Sequence, residues 1–182
     1  MAIYTLAGSI SSTFVGGLLG WLGGVFGLDR LGGVGLLVAL TVALVAVTRE
    51  LGWISFRMPQ LPRQTRDIWF KVFSSPVAAG LWGFDLGLVF STWLTFSGVW
   101  LLVVIAMLGG EAGFGATLFG VYWLGRVLSV WIAPHLMPDS GATSRLMDAI
   151  SGQYRLFQRI HIVGLAWVVV VFVFWLANGI PM

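Results

Sequence analysis

Two residues of opposite charge lie where so apolar a chain should hold none. Asp85 sits in "LWGFDLGLVFS" and Arg126 in "VYWLGRVLS". A lone Asp or Arg at depth in a bilayer costs about 2.5–3.5 kcal/mol on the lenient insertion scale. Pairing the two would offset much of that. Asp85 lies nine residues after Pro76 and Arg126 eight residues before Pro134. At 1.5 Å per residue, both groups fall about 12–13 Å in from the same end of their helices. The pair reads in two ways: as a clamp fixing helix register, or as part of a gate or lining of a polar path. A further alternative has Arg126 snorkelling while Asp85 faces a water pocket.

Hydroxyls follow the carboxylate at once. In "FSTWLTFSG", Ser91, Thr92, Thr95, Ser97 and Gly98 offer a flexible point where a helix can break and line a cavity. Equally, one long tilted helix could bond these hydroxyls back to its own carbonyls. His135 and His161 fall near a membrane boundary, without a third ligand at a metal-binding spacing. They read as interfacial polar residues and predict no metal site. Arg49 and Glu50 end an apolar run and read as headgroup contacts. No serine–histidine–aspartate set, phosphate-binding loop or nucleic-acid motif is present, so no catalytic residue is assigned and nucleic acid is not an expected partner.

The elements that must position these groups follow from composition. The chain has 182 residues, 58% hydrophobic and 9% charged, with ten tryptophans and a mean hydropathy of +0.95. A soluble domain carries about 25% charged residues, so the composition predicts a membrane protein. Five apolar runs are near the roughly 20 residues that span a bilayer: 6–28, 33–54, 77–108, 112–133 and 160–178. The expected fold is therefore one all-α domain over 1–182, a five-helix transmembrane bundle, with the start read as a retained helix rather than a signal peptide.

Short connections at Asp29–Arg30 and Gly109–Glu111 predict two hairpins. Two longer connections, 55–76 and 134–159, read as interfacial, with Trp69, Phe70 and Phe73 in the first. In the second, Leu146, Ile150, Leu156 and Phe157 give an amphipathic helix an apolar side. These connections and the adjoining helix ends hold Arg49, Arg57, Arg63, Arg66, Lys71, Arg145, Arg155 and Arg159. The positive-inside rule then predicts a cytoplasmic N-terminus and an external C-terminus.

Glycines mark close helix contacts. Gly16, Gly20 and Gly24 form successive GxxxG steps, and Gly83 and Gly87 flank Asp85. Small residues let backbones approach in lipid, either within the bundle or against another subunit.

The run "GFDLGLVFSTWLTFSG" with "LFGVYWLGRVL" resembles the membrane domain of the cytochrome c biogenesis CcdA/DsbD family, through Gly83, Leu86, Gly87, Leu88 and Phe90. The resemblance implies a bacterial inner (plasma) membrane protein whose five spans match the second to sixth of six. That family passes reducing equivalents through two cysteines. This chain has none, and the place of the family's Pro-Cys turn, among Thr92 to Gly98, holds neither residue. Thiol–disulfide electron transfer by this chain is thereby excluded. The expected role is a non-catalytic membrane subunit that anchors or stabilises a larger assembly among other membrane proteins. The alternative is a small solute or ion transporter with its path near Asp85 and Arg126. Composition leaves open whether a quinone, haem or pigment is bound.

Overall fold

The computed structural model describes residues 1–56, 68–90, 96–136 and 154–179, and all regular structure among them is helical. The helices are α1 (Ala2–Val25), α2 (Gly33–Glu50), α3 (Trp69–Val72), α4 (Ser75–Gly87), α5 (Gly98–Gly109), α6 (Ala112–Leu136) and α7 (Tyr154–Ala177). Four of them, α1, α2, α6 and α7, contain stretches long and apolar enough to cross a membrane.

The predicted hairpin turns are present, and glycine makes both. A 3₁₀ turn, Leu28–Leu31, joins α1 to α2 between Gly27 (φ 66°) and Gly32 (φ 50°). Gly110 (φ 63°) closes α5 before α6. These left-handed values carry a steric penalty for any residue with a Cβ.

The third expected span, 77–108, is not one helix. It stops at Gly87 as α4 and resumes at Gly98 as α5, so of the two readings of this run the broken helix holds and the single long tilted one does not. The stop is built around Val89. Its φ of 63° and the Phe90 N–H donated to the Leu88 carbonyl at 2.6 Å make a tight three-residue turn. A β-branched residue in that region is strained. Burial compensates: Val89 is fully enclosed and packs with Val99, Val103, Ala106 and Phe119.

Helix α1 is the hub, packed against α4, α5 and α6. Its glycine faces are used inside this fold. A Cβ at Gly16 would strike the Gly115 carbonyl, one at Gly20 the Glu111 carbonyl, and one at Gly24 the Gly110 carbonyl. On its other side, a Cβ at Gly83 would strike the Tyr4 carbonyl and one at Gly87 would strike Ser11 and Gly8. Polar groups add direction: Ser12 Oγ donates to the Phe119 carbonyl at 2.8 Å. Trp123, fully buried, donates Nε1–H to the Thr5 carbonyl at 3.0 Å.

The same contacts explain the break by measurement along the axis. Gly87 meets α1 at Gly8, and Met107 meets it at Gly23. Fifteen residues of α1 rise about 22 Å, whereas the twenty from 87 to 107 would rise about 30 Å as one helix. The interruption absorbs about 8 Å of surplus chain.

A second layer packs α2 against α5 and α7, around Leu36, Ala39, Ala43, Ala46, Leu101, Leu108, Leu165 and Phe172. Alanines along one face of α2 keep this seam close. Of the expected interfacial segments, α3 is a single helical turn with Val72 and Phe73 exposed. Leu156 and Phe157 belong to the start of α7 and not to a separate helix; Leu146 and Ile150 lie outside the described residues.

Candidate functional site

The polar interior gathers where α5 restarts. Helix α2 ends in Arg49-Glu50, and the Glu50 side chain is 3% exposed. Its Oε1 accepts the Ser97 backbone N–H at 2.9 Å and the Ser97 hydroxyl at 2.7 Å. The Arg49 guanidinium donates to the same oxygen at 2.9 Å. A helix start carries backbone N–H groups without intrahelical partners and a partial positive charge. Here a carboxylate from another helix supplies the cap. Gln158 of α7 donates to the Glu50 carbonyl at 2.6 Å, so one residue ties α2, α5 and α7 together. The expectation that Arg49 and Glu50 simply meet headgroups is therefore corrected for Glu50.

His161 is the second correction. It is not merely an interfacial residue: its ring stacks on Phe96 with centroids 4.7 Å apart. Its Nε2 is buried without a hydrogen-bond partner among the described residues. Gly98 makes room for it, since a Cβ there would lie 2.6 Å from the imidazole Cε1. The side chain of the other histidine, His135, lies outside the described residues.

A cavity of about 660 Å³ opens beside His161, between α5, α6 and α7. Its walls are mostly apolar, among them Leu102, Ile105, Leu165 and Val168, and its polar lining residues are His161, Tyr122 and Arg126. Arg126 comes from α6 and reaches toward α4, where a guanidinium nitrogen lies 3.5 Å from the Leu86 carbonyl. That carbonyl is one residue from Asp85, itself buried at 5% exposure. The guanidinium also lies 6.0 Å from the centre of the Tyr122 ring. Helices α4 and α6 meet through α1, which packs against both.

Of the residues singled out in the sequence, Ser97 and Gly98 border the cavity region and Arg126 lines it. Asp85 is brought beside it in sequence through Leu86. Ser91, Thr92 and Thr95 lie outside the described residues. Glycines 16, 20, 24, 83 and 87 are packing residues of α1 and its neighbours. Sequence reasoning missed Glu50, Gln158 and Phe96. The available signal was a carboxylate closing an apolar run, opposite a span too long for one crossing. Among the described residues no three histidine, aspartate or glutamate side chains converge as a metal site would require.

Comparison with known proteins adds a distant likeness. The chain is 30% identical over 140 residues to the methylamine utilization protein MauF of Paracoccus versutus, covering 75% of this chain and 50% of that one. It is 27% identical over 130 residues to the MauF of Paracoccus denitrificans, covering 71% and 47%. The chain thus spans about half the length of the curated relatives it matches. No family model matches, and no solved structure matches.

Proposed function

We propose that this chain is a non-catalytic, membrane-embedded subunit that stabilises a larger assembly, serving an amine-utilisation process of the kind its MauF relatives are named for. The observation that supports it is how polar side chains are spent. Glu50, Ser97, Gln158, Ser12 and Trp123 each join one helix to another. The outward faces of α7, with Ile160, Val163, Trp167 and Val170 exposed, suit lipid or a partner helix. In this reading the N-terminus is cytoplasmic and the C-terminus external in a bacterial inner membrane, by the distribution of arginine and lysine. The Asp85–Arg126 pair acts as a clamp, and the CcdA/DsbD likeness is one of scaffold, since the thiols of that family are lacking.

The test is expression in a Paracoccus strain deleted for MauF, with tagged extraction in mild detergent. Restored growth on methylamine together with a stoichiometric co-purifying membrane protein supports the reading. A monodisperse lone protein that carries an activity of its own overturns it.

A second reading, a solute path, is favoured by the interrupted span beside a cavity, because broken helices at membrane depth line binding sites in transporters. Asp85→Asn discriminates. Loss of flux with the protein still folded and assembled selects the path; loss of the protein from the membrane selects the clamp.

A further inference from the structure

We propose that a second cavity, at the end of the bundle where both hairpins turn, binds an organic cation with a methylated ammonium group. The proposal goes beyond the subunit reading and does not rest on it. The cavity measures about 440 Å³, and its lining includes Asp29, Leu108, Glu111, Phe114, Phe172 and Trp175. That volume lies within the roughly 300–1,000 Å³ of pockets that enclose small ligands.

Two carboxylates reach the cavity from different turns. Asp29 belongs to the 3₁₀ turn that joins α1 to α2, and Glu111 follows Gly110, which closes α5. Gly110 permits the approach, since a Cβ there would strike the Asp29 side chain. Neither Asp29 nor Glu111 has a salt bridge or a side-chain hydrogen bond among the described residues. Arg30, next to Asp29 in sequence, does not line the cavity; its side chain passes beside Gly27 instead. The charge facing the cavity is therefore negative, and a cation is the ligand that this charge attracts.

The walls select which cation. Phe172 and Trp175 of α7 line the cavity with ring centroids 6.3 Å apart and planes inclined at 47°, and Phe114 of α6 adds a third ring. Aromatic faces attract cations, and cages of such rings recognise methylated ammonium groups. The rings are an observation separate from the carboxylates, and both point to the same ligand. A metal ion suits the site less well. Calcium takes about six to eight oxygen ligands, and among the described residues no third histidine, aspartate or glutamate converges here.

The experiment uses the full chain in deuterated dodecyl maltoside micelles, which carry neither charge nor ammonium. Choline and its uncharged isostere 3,3-dimethylbutan-1-ol are each titrated, with saturation-transfer NMR read on their methyl protons. Saturable binding of choline is expected, about tenfold tighter than the isostere, the worth of a ring contact and a solvent-screened charge pair. Asp29→Asn combined with Glu111→Gln should weaken choline by about the same factor and leave the isostere within about twofold. Both side chains are exposed, so the fold does not depend on them. Dihexanoyl phosphatidylcholine, added below its micelle concentration, identifies the source. Displacement of choline at a lower concentration than choline itself supports a lipid headgroup in the cavity, and weaker displacement supports a free ammonium compound. Non-saturable signal, equal affinity for choline and the isostere, an unchanged double variant, or displacement of choline by an equal concentration of calcium would each overturn the proposal.

Discussion

Removing the Glu50 carboxylate should loosen the protein more than any ordinary interhelical contact does. Hydrogen bonds between membrane helices average only about 0.6 kcal/mol, because the unfolded chain in lipid finds other partners. Glu50 differs, since it is charged, 3% exposed, and caps a helix start that its own segment leaves open. In Glu50→Ala the buried Ser97 N–H loses its acceptor, at about 1–3 kcal/mol. The Ser97 hydroxyl keeps a poor alternative in the Ala46 carbonyl at 3.4 Å, which limits the further loss. The Arg49 pair adds less, because that side chain keeps 23% exposure and solvent screens it in part. The expected total is about 2–4 kcal/mol. Glu50→Gln keeps a carbonyl oxygen for Ser97 and should lose about 1 kcal/mol, and Ser97→Ala, which preserves the backbone bond, about 1.5 kcal/mol. Reversible unfolding in mixed micelles titrated with dodecyl sulfate measures the series. An alanine variant within 0.6 kcal/mol of the parent would refute the capping argument.

Other perturbations probe the rest of the fold. Gly20→Ala should cost about 1–3 kcal/mol by overpacking, because its Cβ meets the Glu111 backbone; Gly125→Ala, with open space around it, should cost nothing measurable in the same assay. Trp123→Phe should lose about 1 kcal/mol with the Thr5 bond, and adding Thr5→Ala should not restore it, since the acceptor is backbone. A double-mutant cycle on Asp85→Asn and Arg126→Gln should give a coupling of at least about 0.5 kcal/mol if the clamp holds; additive losses would dissociate the two residues.

Much of this architecture was readable from hydropathy and punctuation. The two hairpin turns follow from Gly27, Gly32 and Gly110 between apolar runs, and the glycine steps of α1 do mark its closest neighbours. What composition could not convey was register. Nothing in the run from Pro76 to Leu108 states that α1 offers only about 22 Å between its contacts with Gly87 and Met107. The stop at Gly87 follows from that mismatch and not from a local helix breaker, since a valine occupies the left-handed position. Glu50 was hidden for a related reason. A carboxylate at the end of a span looks like a headgroup contact until the helix it caps is known to begin opposite it. His161 reads as interfacial because a histidine at a membrane boundary and one stacked on an aromatic ring between helices have the same sequence surroundings.

The interruption of the third span is the claim on which the site rests, and a disulfide ruler in native membranes tests it directly. The chain lacks cysteine, so introduced pairs report without background. Ser97→Cys combined with Ala46→Cys should cross-link rapidly, because the Ser97 hydroxyl lies at the Ala46 carbonyl and Glu50 remains to cap the helix. Paired with Ala39→Cys, two turns further along α2, it should not. An uninterrupted helix held at Gly87 would carry residue 97 about 8 Å along α2 toward Ala39, and preferential cross-linking to position 39 would contradict the account.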